Sequence, residues 1–131
     1  MPFIKQFAKE TKMQQWYGVS YGNGNDGVSH FSPNILVYTD DPWTLARAAM
    51  IFEWKDKQWA NENTDIDGEE DYTIYATIYE GPNGETEFGA AYMIVEVFPV
   101  NESEYNCTKY DSIYEAFDKE TYEIVQTGID T

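Results

Sequence analysis

DYTIYATIYEGPNGETEFGAAYMIVEVF, residues 71–98, is the stretch that decides the fold class. Thr73, Tyr75, Thr77 and Tyr79 alternate with Ile74, Ala76 and Ile78. This is the period of two that sends successive side chains to opposite faces of a strand. Gly81-Pro82-Asn83-Gly84 then supplies turn residues, and a second run rich in β-branched and aromatic residues follows to Phe98. Two such runs around a short Gly- and Asn-containing segment predict an antiparallel hairpin. Gly89 and Ala91 leave room on its second strand for a helix to pack closely, so both faces of the hairpin are expected to be covered at least in part.

Upstream, residues 15–21 (QWYGVSY) alternate and predict another strand. GNGNDG at 22–27 reads as a loop, built of residues that tolerate positive φ. A further strand is expected within 28–31 or 34–39, interrupted by Pro33. Asp41 followed by Pro42 is the clearest helix start in the chain: a carboxylate cap, then a residue whose missing N–H costs nothing in the first turn. The helix is expected to run to about residue 60. Leu45, Ala48, Ala49, Phe52 and Trp59 form one apolar stripe, and Trp43, Ala46, Met50 and Trp54 form a second beside it. So wide an arc predicts burial on more than one side, against a sheet and a second helix or subunit. Ser112 with Glu115 three residues on has the capping-box spacing and opens a final helix, with Gly128 as its stop. Residues 3–12 predict a short helix. The sum is one α+β domain: an antiparallel sheet of about four strands with two main helices packed on it.

No run of apolar residues is long enough to cross a membrane, and the N-terminus lacks the apolar core of a secretory signal. Cys107 is the only cysteine, so no intramolecular disulfide forms and a reducing cytoplasm is the expected compartment. The 42% apolar content rules out general disorder despite a formal net charge of −16. That charge is unevenly placed. Residues 1–60 carry six bases and six acids, whereas residues 61–131 carry eighteen acids against Lys109 and Lys119. A field of this sign repels nucleic acid and anionic membranes and draws basic proteins. It also exceeds the magnitude of about 2–8 that solubility asks of a small domain.

Motifs with chemistry are few. Gly22-Asn23-Gly24-Asn25-Asp26-Gly27 matches G-x-G-x-x-G by letter, but an extended segment follows where a phosphate site needs a helix N-terminus. Asn63, Asp65, Asp67 and Gly68 match the start of a calcium loop, yet the bidentate glutamate position is Ile74. His30 and Cys107 are single residues with no second ligand or nucleophile nearby in sequence, and His30 reads as a turn or surface residue. No catalytic residue, metal or cofactor is assigned. The expectation is a non-enzymatic binding protein.

The binding surface is expected where carboxylates repeat at the spacing of phosphates. Same-face strand residues stand about 6.6 Å apart, helical neighbours about 5–6 Å, and phosphates along a strand about 7 Å, roughly twice the rise per nucleotide. Three tracks meet this condition: Asp65, Asp67, Glu69 and Asp71 in an acidic loop (61–71), Glu85 and Glu87 in the hairpin, and Asp111, Glu115 and Asp118 on the last helix. Tyr114 and Tyr122 accompany them, since tyrosine gives contact area and cation–π capacity at low entropic cost. In composition and size the chain resembles the acidic phage and mobile-element proteins that mimic DNA to block restriction or CRISPR enzymes. That resemblance implies a partner whose basic surface ordinarily binds nucleic acid. Two other readings stand beside it: an immunity- or antitoxin-like plug for a basic toxin, and a homodimer or larger self-assembly seamed by the apolar arc of residues 42–60.

Overall fold

A computed structural model describes residues 13–24, 27–69, 72–80 and 91–129. Within them six strands form one sheet: β1 (Gln15–Gly22), β2 (Ile35–Thr39), β3 (Asp65–Gly68), β4 (Ile74–Ile78), β5 (Met93–Pro99) and β6 (Thr108–Tyr110). Their order is β3-β4-β5-β1-β2-β6. Every neighbouring pair is antiparallel except β2 and β6, which run parallel. Four α-helices complete the described fold: α1 (Pro42–Phe52), α2 (Lys57–Asn63), α3 (Ile113–Ala116) and α4 (Lys119–Ile129). The α+β class therefore holds, with six strands in place of about four, one parallel pair, and four helices in place of two.

β4 and β5 pair antiparallel as the 71–98 reading requires, with Ile74 opposite Val97 and Ile78 opposite Met93. The GPNG turn, Gly89 and the expected 3–12 helix lie outside the described residues. The strand parity also holds. Ile74, Ala76 and Ile78 face the helices with Val19, Val37, Val95 and Val97, all in one buried cluster.

The long helix expected over 42–60 is two helices, broken at residues 53–56. Asp41 caps the first as the sequence signals, its Oδ1 accepting from the Thr44 N–H at 3.1 Å. The second starts afresh because Asp56 Oδ1 accepts the Trp59 N–H at 3.0 Å, a local bond that competes with continuing the first helix. Much of the apolar arc packs within the chain: Leu45, Ala46, Ala48, Ala49, Met50 and Ile51 are all fully buried, Trp43, Trp54 and Trp59 partly so, and Phe52 is exposed. Tyr21 ties this helix to the sheet, its hydroxyl donating to the Ala49 carbonyl at 3.0 Å, and burial raises its pKa, with Glu53 adding in the same direction.

The final helix divides in the same manner. Phe117 turns to an extended conformation and sinks into the core, its ring 5.2 Å from Phe52. Asp118 then starts α4, its Oδ1 accepting the Thr121 N–H at 2.8 Å. α4 runs through Gly128, the expected stop, to Ile129.

The opposite face of the sheet is covered around β1 and β5 by a loop. β1 ends at a tight reversal, with Asn23 bridged to Gly27 and Gly27 at φ 69°. Gly22 is fixed by this closure, since a Cβ there would lie 1.6 Å from the Gly27 carbonyl oxygen. Residues 28–34 form no helix, so the glycine-rich match is a chain reversal without a phosphate-binding helix terminus. They cross the outer face, held by Ser20 Oγ donating to the Ser29 carbonyl (2.8 Å) and by Asn34 N–H donating to the Val19 carbonyl (2.7 Å). Gly18 makes this cover fit: it lies between Leu36 and Phe98 in register, and a Cβ would come within 3.0 Å of the Phe98 ring and 3.2 Å of Pro33.

Candidate partner-binding surface

The segment read as an acidic loop contains an edge strand. Asp65, Ile66, Asp67 and Gly68 pair with Thr77, Ala76, Tyr75 and Ile74 of β4. Pairing converts the alternate acids into a geometric row: Asp65, Asp67 and Glu69 are exposed, while Ile66 packs against the core. Pairing also spreads Asp65 and Asp67 along an extended backbone, unlike the sharply turned calcium loop whose opening they match. None of the three carboxylates lies within 4.0 Å of a cationic nitrogen among the described residues. Across the ladder, Tyr75 stands opposite Asp67 and Thr77 opposite Asp65. Exposed Tyr72 and Tyr79 bracket β4. Asp71, Glu85 and Glu87 lie outside the described residues.

The track expected on one last helix does not form. Asp111 precedes α3, Glu115 lies in it, and Asp118 belongs to the cap of α4. Ser112 does cap α3, its Oγ accepting the Glu115 N–H at 3.1 Å, and leaves Glu115 exposed. Asp118 has structural employment. The Thr121 side chain holds its carboxyl below the usual carboxylate range against a desolvation that works the other way, and the Thr121 N–H and Lys57 (Nζ at 3.9 Å) add to the lowering. Tyr114 and Tyr122 meet edge to face at 5.1 Å and bridge α3 and α4, with Tyr114 53% exposed. The helices pack on the inner side of the sheet, whereas Asp65, Asp67 and Glu69 project from the outer side. The predicted residues thus divide into two groups on opposite faces.

Between α1, α2 and α4 lies an open cleft of about 1070 Å³. Its lining mixes Arg47, Lys55 and Lys57 with Asp56, Glu62, Glu120 and Glu123. Arg47 is committed to structure, donating to the carbonyl and side-chain oxygens of Asn61 at 3.0 and 3.1 Å. With three bases against four acids the cleft is of mixed sign, unlike the Asp65–Glu69 row, and does not extend it.

Sequence reasoning missed one polar site entirely. Glu96 is at the centre of β5, with its side chain 3% exposed, and its Oε2 lies 3.2 Å from Nε2 of His30. Its other oxygen, Oε1, is buried with no hydrogen-bond partner. His30 also packs edge-on against Phe98 at 4.3 Å, so the histidine, in a turn and partly exposed as read, also clasps the covering loop to the sheet. The Val95-Glu96-Val97 run was the available signal, an acid inside an apolar strand. The nearby Ser20 hydroxyl is spent on the Ser29 carbonyl, so this hydroxyl is not the imidazole's to activate. The pair reads as a structural clasp.

Comparison with protein-family models, with curated proteins and with solved structures finds no match. The surface must be read from its own chemistry.

Proposed function

We propose that the chain is a non-enzymatic acidic inhibitor that occupies the basic, nucleic-acid-binding surface of another protein, in the manner of a nucleic-acid mimic. One observation carries this reading: Asp65, Asp67 and Glu69 form an exposed row on a paired strand, with no counter-cation within ion-pair distance among the described residues. Strand geometry spaces such a row at about 6.6 Å, close to the spacing of phosphates. The ladder fixes it before any partner arrives, so little ordering entropy is lost on binding. Like-charged side chains left facing water cost folding stability through mutual repulsion. A cationic partner recovers that cost.

Capture of partners from a bacterial lysate on the immobilised protein, with elution by a salt gradient, tests the reading. The expected result is a nucleic-acid-binding protein, released at moderate salt and displaced by added DNA or RNA. A complex insensitive to nucleic acid would refute it.

The plug reading keeps a specific observation in its favour. Phe31 is 91% exposed on the loop pinned by the His30–Glu96 clasp, and Tyr114 is also prominent. Rigid exposed aromatics are the usual anchors of tight cognate interfaces. Under that reading, Phe31→Ala weakens binding more than any single acid neutralisation, and the complex resists high salt. The self-assembly reading has less support than the sequence offered it, since most of the arc of residues 42–60 packs within the chain, leaving Phe52 exposed and Trp43, Trp54 and Trp59 partly so.

A further inference from the structure

β3 ends the sheet, and its hydrogen-bonding pattern can be read from one contact. The Glu69 N–H donates to the Thr73 carbonyl at 2.8 Å. In an antiparallel ladder hydrogen-bonded pairs alternate with non-hydrogen-bonded ones. The register then makes Asp67/Tyr75 and Asp65/Thr77 hydrogen-bonded pairs. Ile66 and Gly68 consequently direct their N–H and C=O groups away from β4, toward the open edge. No hydrogen bond to these groups occurs among the described residues.

An open edge is a template for another strand, and charged side chains on it ordinarily serve to block pairing. Here the exposed charges of the edge strand and its extension, Asp65, Asp67 and Glu69, all have one sign. A single sign excludes a second copy of this chain, whose own β3 would bring three more carboxylates, and admits a strand of the opposite sign. We propose that β3 is a docking edge for a basic extended segment of a partner protein, added antiparallel, with Lys or Arg at alternate positions. The choice of a basic occupant rests on the acidic-inhibitor reading above; the open edge does not. Incoming residues opposite Asp65 and Asp67 occupy non-hydrogen-bonded positions, where Cα atoms approach to about 4.5 Å and side chains lie closest. Their cationic ends meet the carboxylates on the outer face, in the cross-strand arrangement that favours opposite charges. The residue between them faces Ile66 on the inner side and is apolar, while Gly68 offers no side chain to obstruct the strand.

The test uses the full chain and a capped eight-residue peptide of alternating Lys and Val. Its controls are the matching Glu–Val peptide and a Lys–Val peptide N-methylated at every second amide, on the edge that would face β3. Amide hydrogen exchange by NMR reads the site. The Lys–Val peptide is expected to slow exchange at Ile66 and Gly68 at least tenfold, with no effect from the Glu–Val peptide. Asp65→Asn with Asp67→Asn should weaken binding about tenfold. N-methylation, which keeps the charge and removes the donors, should abolish protection in the unmutated chain. Failure of the Lys–Val peptide to bind, equal binding by the N-methylated peptide, or binding without protection at Ile66 and Gly68 would each overturn the docking edge. An edge that binds the peptide in a chain whose lysate partner ignores nucleic acid overturns the mimic reading alone. A nucleic-acid-displaced partner that leaves Ile66 and Gly68 unprotected overturns the edge alone.

Discussion

Replacing His30 by alanine removes the imidazole in contact with a carboxyl group that is already short of a partner. Glu96 is 3% exposed, and its Oε1 has no hydrogen-bond partner before the change. Stripping the partner from a fully buried pair costs about 3–5 kcal/mol. The His30 side chain, however, is 43% exposed. Its removal lets water reach Oε2 and repays part of that cost, leaving about 1–3 kcal/mol. For a chain of this length each kcal/mol moves the melting midpoint by roughly 3–4 °C, so a fall of about 3–12 °C is expected in calorimetry at neutral pH. The double-mutant cycle gives the sharper outcome. With Glu96→Leu in the background there is no carboxyl group left to orphan, and His30→Ala should cost less than half as much. Equal losses in the two backgrounds would mean that His30 contributes only its packing on Phe98, and the clasp argument would fail.

Three other outcomes follow from the same contacts. Asp118→Ala should destabilise by about 1 kcal/mol through loss of the α4 cap, while Asp118→Asn keeps a capping oxygen and costs less. Because the folded state holds the Asp118 pKa down, its charge-dependent share of stability is present above the unfolded carboxylate range and is lost as pH falls through the folded value. The gap between wild type and Asp118→Asn should therefore narrow in acid, which pH-dependent chemical denaturation measures. Gly22→Ala should destabilise more than Gly18→Ala, by about 2–3 kcal/mol or more. The obstacle at Gly22 is the Gly27 backbone at 1.6 Å, whereas at Gly18 it is ring and proline atoms at 3.0–3.2 Å; urea denaturation orders the pair. Neutralising Asp65, Asp67 and Glu69 together should leave stability within about 0.5 kcal/mol or raise it slightly, while abolishing partner capture. Thermal melts beside the capture assay separate the two effects.

Local chemistry was legible at most of the places where it acts within a few residues. The Asp41-Pro42 start, the Ser112 cap, β1, β2 and the alternation of 74–78 all stand as read. Signals that depend on distant partners were not. Asp65-Ile66-Asp67-Gly68 has the composition of a loop, and only β4 makes it a strand. Thr108–Tyr110 is three residues long and exists as a strand because β2 offers it a parallel edge. Both helix breaks carry a local signal that the apolar periodicity outweighed, an aspartate that caps the next helix. At the second, Phe117 is also drawn into the core by packing invisible in a window of sequence. The candidate site was legible in part for the same reason. Residue type and spacing marked Asp65, Asp67 and Glu69 as one track, and the fold leaves them exposed on one face, separate from Glu115 and from Asp118, which caps α4.

The sheet order has a consequence for how the chain comes together. The two central strands are β1 and β5, so Tyr17 pairs with Pro99 and Gly22 with Ile94. β1 can find β2 early, since both lie within the first 39 residues. Its other edge has to wait until nearly three-quarters of the chain has been synthesised. Closing so long a loop before any contact rewards it is slow, and a half-built sheet with an open apolar edge is prone to associate. Refolding slower than that of a helical domain of equal size is therefore expected. Truncation before Met93 should leave an aggregating fragment, because the chain cannot complete its core without the strand that arrives late.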